Sequence, residues 1–243
     1  MEPAVQALAK PQPHAVRTLA IDIGGTGIKA LILSATGKPL TERARVKTPR
    51  PATPAAVMNT IVELAKAQGS FDRVSVGFPG VVRRGVTVTA PNLNGNWGGF
   101  RLADALTKKL GVPVRVANDA DVQGFGVIEG YGVELVVTLG TGFGSGLFVD
   151  GKLVPNLELG HHPLQKGKTY EDLLSDAVRK KIGKRKWSKR LVRAIQTLDR
   201  TFNYDRLYVG GGNAARITVK LPENVKIVSN VAGLLGGLAL WRD

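Results

Sequence analysis

One turn sequence occurs twice, and it restricts the fold more than anything else in the chain. Asp22-Ile-Gly-Gly-Thr-Gly-Ile-Lys29 lies near the start, and Leu139-Gly-Thr-Gly-Phe-Gly-Ser-Gly146 follows over a hundred residues later. Each sits between two apolar, β-prone stretches: Leu19–Ile23 and Ile28–Leu33 around the first, Leu135–Leu139 and Gly146–Val149 around the second. A strand on both sides excludes a Walker loop or a dinucleotide-binding turn, because both need a helix directly after the glycines. Without a Cβ, Gly24, Gly25, Gly140, Gly142 and Gly144 are expected to take positive φ and let backbone N–H groups approach anionic oxygens. Two such hairpins facing each other would grip a phosphate chain. Their duplication implies two similar halves with a cleft between them.

The remaining pattern alternates strands and helices, as in α/β architecture. Thr53–Gln68 reads as a helix with Thr53 as N-cap and Pro54 at its first position. A strand, Val74–Phe78, ends in Pro79-Gly80, and Val86–Thr89 is expected as an exposed strand. Phe100–Leu110 is a helix stopped by Gly111; Val114–Ala117 is a strand that opens onto Asn118-Asp119; Ala120–Glu129 is helical. Helices are also expected over Tyr170–Ile182 and Ser188–Phe202. Leu207–Val209 is a buried strand before Gly210-Gly211-Gly212, and Val231–Trp241 closes the chain as an apolar helix. The expected organisation is a flexible leader over 1–16, a small lobe over 17–118 completed by 231–243, and a large lobe over 119–230.

The chain has 243 residues, 43% of them hydrophobic, which is enough to bury a full core. No apolar run reaches the length of a membrane span. Met1–His14 is rich in Pro and Ala without an apolar signal core, and there is no cysteine, so disulfides and thiolate metal sites are excluded and the expected location is the cytoplasm. The 34 Lys and Arg against 19 Asp and Glu leave a formal charge of +15, which favours polyanionic partners.

Asp119 falls where a strand gives way to a helix, a common place for a catalytic group in α/β folds, and a carboxylate there could take a proton from an attacking hydroxyl. Asn-Asp is equally a favoured N-cap pair. Considered together, Asp22-Ile-Gly-Gly-Thr, Gly77-Phe-Pro-Gly80, Pro91-Asn-Leu93, Asn118-Asp119, Leu139-Gly-Thr-Gly142, Glu158-Leu-Gly-His161 and Gly210-Gly-Gly212 resemble the ROK sugar kinases of the actin/hexokinase superfamily. Within that group the chain is most similar to the polyphosphate glucokinases, from about Arg17 to the C-terminus. The resemblance implies a two-lobed, ribonuclease H-like fold with a cleft. It also implies phosphoryl transfer to the 6-hydroxyl of glucose, with Asp119 as catalytic base.

The same resemblance places the sugar against Gly80, Asn92, Asn118, Asp119, Glu158, His161 and Glu171. Carboxylates and an imidazole suit adjacent hydroxyls that both donate and accept. The donor phosphates are assigned to Asp22, Gly24, Gly25, Thr26, Gly140, Thr141 and Gly142, with Mg²⁺ on Asp22 through water. Many ROK proteins carry a Cys-rich zinc segment between the Gly-His pair and the later Glu. Here Pro163–Thr169 is short and cysteine-free, so no structural zinc is expected and Glu171 needs another support.

No acid lies between Asp176 and Asp199, and Lys180, Lys181, Lys184, Arg185, Lys186, Lys189 and Arg190 form a positive surface expected to be part loop and part helix. A polyphosphate donor would gain affinity along such a track by counterion release, whereas ATP needs none. Gly210, Gly211 and Gly212 resemble the family's adenosine-binding turn, which leaves ATP open as a donor. Two rivals remain at this stage: an ATP-dependent ROK kinase for another hexose, and a nucleic-acid-binding regulator on a kinase-like fold. The regulator is disfavoured because only about sixteen residues precede the first strand, too few for a helix-turn-helix domain. A homodimer stays open.

Overall fold

The computed structural model describes residues 15–229 and 232–242; the expected leader therefore lies almost entirely outside the described residues, as does Val231. Two five-stranded sheets share one plan. In the first, β1 (Thr18–Ile23) and β2 (Gly27–Leu33) form a hairpin, β3 (Ala44–Lys47) adds antiparallel at the edge, and β4 (Arg73–Phe78) and β5 (Val114–Asn118) continue parallel on the other side, in the order β3-β2-β1-β4-β5. The second repeats this with β6 (Val133–Leu139), β7 (Phe143–Val149), β8 (Lys152–Val154), β9 (Arg206–Gly210) and β10 (Val225–Ile227), in the order β8-β7-β6-β9-β10.

Each sheet is apolar on both faces, so alternate residues of one strand enter different cores. On the first sheet, Leu19, Ile21, Ile23, Ile28 and Ile32 pack with α1 (Pro54–Gln68) and α2 (Leu102–Leu110). Ala20, Leu31 and Leu33 face Leu234 in α7 (Ala232–Leu235). On the second, Leu135, Val137 and Leu139 meet α4 (Tyr170–Leu174) and α6 (Lys184–Phe202), while Val136, Phe148 and Tyr208 form a separate cluster with Phe125 from α3 (Asp119–Phe125). Among these side chains Trp187 is fully buried and donates its indole N–H to the Leu174 carbonyl at 2.8 Å, so its one polar atom is satisfied.

Local signals placed several boundaries. The Thr53 hydroxyl accepts from Ala56 N at 3.3 Å with Pro54 first in α1, and Gly111 ends α2 at φ +73°. Other expectations need correcting. Val86–Thr89 is no exposed strand: only Val86–Thr87 pairs, with Val82–Arg83, and Thr87 is fully buried with its hydroxyl donating to the Trp97 carbonyl. The helix expected over Tyr170–Ile182 is broken at Ser175, whose ψ of 161° separates α4 from α5 (Asp176–Ile182). Helix α3 stops at Phe125 rather than Glu129, and α6 begins at Lys184, so the basic tract is helical on both sides of Gly183. The closing helix is also interrupted. Four residues of α7 lead into a 3-10 turn over Gly236–Trp241, where a Cβ on Gly236 would fall 1.8 Å from the Val122 carbonyl oxygen of α3. Close backbone approach decided that geometry.

Candidate active site

The two glycine turns face each other across one cleft of about 590 Å³. A methyl added at Gly25 would lie 4.0 Å from the Thr141 hydroxyl, and Asn92 stands between the turns, against both Gly25 and Gly142. None of Gly24, Gly25, Gly140, Gly142 and Gly144 has the positive φ expected of it; Gly211, at +87°, does. The reason for glycine here is proximity. A Cβ on Gly142 would sit 2.2 Å from Glu171 Oε2, and one on Gly144 2.4 Å from the Thr138 hydroxyl.

Both turns are held from behind by their carbonyls. The Thr48 hydroxyl donates to Gly24 O at 2.6 Å and Arg50 Nη2 to Gly25 O at 2.9 Å. In the second turn, Asp176 N and Asn213 Nδ2 donate to Gly140 O at 3.1 and 3.2 Å. Gly24 N and Gly140 N close their own turns. Among the described residues, the amides of Gly25, Thr26, Thr141 and Gly142 donate to no protein acceptor. Two pairs of unspent N–H groups on one cleft are donors of the kind that can receive an anion.

Asp119 opens α3 beside these turns, where Gly77 of β4 passes close enough that a Cβ would lie 3.4 Å from Asp119 Cα. Asn118 is an N-cap as well as a cleft residue: its Oδ1 accepts from Ala120 N and Asp121 N, which leaves Nδ2 to point at Gly80 O and, at 3.4 Å, Glu158 Oε1. Burial and then the nearby Asp22 charge push the Asp119 carboxyl up to about 8, because a second anion in a poorly solvated cleft disfavours ionisation. Asp22 itself pairs with Lys29, Nζ to Oδ2 at 2.7 Å.

Glu158 and His161 stand on the other wall, on a turn tied down by Ser145, whose hydroxyl donates to Leu157 O and accepts from Leu159 N. His161 Nε2 lies 3.7 Å from Glu158 Oε2, and burial raises the Glu158 carboxyl. The cysteine-free loop secures Glu171 with ordinary bonds. Thr169 and Asp172 cap α4 reciprocally, the Tyr170 ring packs on Phe143 at 5.2 Å, and Phe143 N donates to Glu171 Oε2 at 3.0 Å.

Thus Asp22, Gly24, Gly25, Thr26, Gly80, Asn92, Asn118, Asp119, Gly140, Thr141, Gly142, Glu158, His161 and Glu171 all line the cleft. Of the glycine run, Gly211 and Gly212 reach it, while Gly210 finishes β9 behind, against Gln123. Of the basic tract, only Arg179 and Lys180 reach the lining, and both are paired with Asp176, whose carboxyl they hold near 2. Lys181, Lys184, Arg185, Lys186, Lys189 and Arg190 lie outside it. Sequence reasoning missed Arg43, Arg45 and Arg216. The spacing of Arg43 and Arg45 was the available signal, but the strand that carries Arg45, with Arg43 just before it, was not recognised.

Comparison with known proteins gives a consistent result. Residues 18–180 match the model of the ROK family. The chain is 34% identical over 233 residues to the polyphosphate glucokinase of Mycobacterium tuberculosis, covering 89% of this chain and 88% of the relative. The crystal structure of the inorganic polyphosphate/ATP-glucomannokinase from Arthrobacter sp. strain KM superposes with a TM-score of 0.85 at 35% identity, over 93% of this chain and 100% of that one. A ROK family glucokinase from Streptomyces griseus, solved with glucose and AMPPNP, shares the fold with a TM-score of 0.76 at 21% identity, over 92% and 98% of the two chains.

Proposed function

The chain belongs to the ROK family, and on that premise we propose that it is a glucose kinase that takes its phosphoryl group from inorganic polyphosphate, with ATP as a second donor. The observation that carries this reading is the pair of free amide couples on opposing hairpins, with one acidic side chain, Asp119, beside them in the same cleft. The kinase chemistry is that of the 34%-identical polyphosphate glucokinases and of the polyphosphate/ATP neighbour.

In the proposed mechanism, Glu158, His161, Glu171, Asn92 and the Nδ2 of Asn118 hold the sugar hydroxyls. The amides of Gly25, Thr26, Thr141 and Gly142 hold the terminal phosphates of the donor in line with it. Transfer through a loose transition state puts charge on the migrating phosphoryl oxygens, where fixed N–H dipoles stabilise it without reorganisation. Asp119 accepts the proton of the attacking hydroxyl; its elevated carboxyl makes it a stronger base than an exposed aspartate once ionised. Gly211 and Gly212, beside the second hairpin on the cleft lining, are assigned to the ATP ribose and base.

A metal would have to share its ligands with the donor, because no group of three or more His, Cys, Asp or Glu among the described residues could hold one. Asp22 fits that limited role, as a single carboxylate lining the cleft beside the first turn, with Lys29 Nζ on its Oδ2 at 2.7 Å. When bound there with the donor, Mg²⁺ would neutralise phosphate charge. No helix among the described residues is long and apolar enough to cross a membrane. A cytoplasmic location is part of the proposed reading.

The test is sugar phosphate formation by purified protein with Mg²⁺, glucose or mannose, and either polyphosphate or ATP. The Arthrobacter neighbour's name, glucomannokinase, makes mannose the first epimer to compare. Turnover with glucose and polyphosphate is expected. Turnover with ATP alone would remove polyphosphate as donor; none with any pair, together with tight duplex binding, would favour a regulator.

A further inference from the structure

The main cleft runs into a second cavity on the outside of the first hairpin. It measures about 520 Å³, is lined by Thr26, Arg45, Val46, Lys47, Thr48 and Arg50, and shares Thr26 and Arg45 with the main cleft. Its floor is β3, the edge strand of the first sheet. Side chains alternate along a strand, so Arg45 and Lys47 project to the same face. Arg45 marks the junction: its Nε would lie 2.8 Å from a Cβ on Gly27, directly over the hairpin.

These cations are uncommitted. Among the described residues, Arg43, Arg45 and Lys47 form no salt bridge, and Arg50 donates to Gly25 O and Asn94 Oδ1 rather than to a carboxylate. No acid interrupts the run from Arg43 to Arg50. The tract on α5 and α6 is different, since the two members that reach the cleft both pair with the Asp176 carboxylate and the others line neither cavity. Free positive charge continuous with the donor site therefore lies on β3.

We propose that the distal units of a polyphosphate donor leave the cleft between the hairpins and run outward over β3, along Arg43, Arg45, Lys47 and Arg50. This rests on the reading of the enzyme as a polyphosphate-dependent kinase and adds the path taken by the chain. ATP leaves on the opposite side, toward Gly211 and Gly212, and does not touch this groove. Tripolyphosphate is too short to fill it.

The experiment compares the KM for long-chain polyphosphate with that for tripolyphosphate in the wild type, in Arg45→Ser/Lys47→Ser, in Lys47→Glu alone, and in Lys186→Ser/Lys189→Ser on α6. The ratio of the two KM values cancels any general effect on the cleft. It should shift against the long chain by about tenfold in the double β3 variant. The salt dependence of log KM for the long chain should flatten by about 1.5 units of slope, the counterion release lost with two phosphate contacts. Lys47→Glu, at an exposed strand end, should move the ratio the same way even if the double variant folds poorly, and the α6 variant should leave it within about twofold. An unchanged ratio in both β3 variants, or a shift seen only in the α6 variant, would overturn the proposal. If the wild type turns over ATP and no polyphosphate, the donor reading itself fails, a result distinct from an unresponsive β3.

Discussion

The two hairpins are built to one plan and, in the proposed mechanism, serve different sides of the reaction. In each, side chains or amides from the next layer hold the turn carbonyls from behind: Thr48 and Arg50 in the first, Asp176 and Asn213 in the second. Each keeps two amides free for an anion. They differ in what stands in front. The first hairpin is bordered by charge, with Asp22 paired to Lys29 on its strands and Arg45 laid across Gly27. The second is bordered by the sugar wall, with Phe143 N bonded to Glu171 and Gly142 packed so tightly that its missing Cβ is space the Glu171 carboxylate occupies. In the proposed enzyme a repeated turn thus fixes where phosphate binds, and its neighbours decide which substrate each copy also controls.

The largest expected effect lies outside both hairpins. Asp119→Asn keeps the shape of the cleft and removes the base, so kcat should fall by about 10²- to 10⁴-fold while glucose binding, measured by titration calorimetry, changes little. Retained turnover would return the chemistry to the hairpins themselves.

A pair of matched substitutions separates the two turns. Gly142→Ala forces Glu171 aside and should lower kcat/KM for glucose by on the order of a hundredfold, as expected when a positioning group moves by about an ångström. Gly25→Ala meets Asn92 at 3.4 Å, an ordinary contact at a residue without positive φ, and should cost less than about fivefold. Equal losses would mean that the hairpins are interchangeable.

The smallest effect concerns charge at the first hairpin. Because the Asp119 carboxyl is raised to about 8, its ionised and active form is depleted as pH falls, and kcat/KM should climb with pH up to about 8. Asp22 is the leading charge behind that elevation, after burial. Removing it in Asp22→Asn makes ionisation of Asp119 easier, so the rising limb of the pH–rate profile should move to lower pH. A limb that stays in place would mean that burial alone sets Asp119.

Much of the plan was legible in the chain because it is encoded locally. Apolar, β-prone runs on either side of the glycines announced both hairpins, Thr53-Pro54 announced the start of α1, and the strand ending at Asn118 delivered Asp119 to the mouth of the cleft. Period, capping and strand ends depend on residues a few positions apart, and such signals survive without the rest of the molecule. What failed depended on distant partners. The turn glycines were expected to supply left-handed backbone; they supply room, for Glu171 against Gly142 and for Thr138 against Gly144, and only folding brings those atoms together. The helix break at Ser175, the hydrogen-bonded brace of Glu171 and the elevated carboxyl of Asp119 were equally out of reach. Charge shows the same division. A count of lysines and arginines pointed to α5 and α6, yet whether a cation is free depends on the acid folded against it: Asp176 occupies Arg179 and Lys180, and no carboxylate meets Arg43, Arg45 or Lys47 among the described residues. Local spacing wrote the elements into the sequence, whereas contacts between remote residues set the working chemistry, because desolvation, pairing and close approach exist only between surfaces that the fold has brought together.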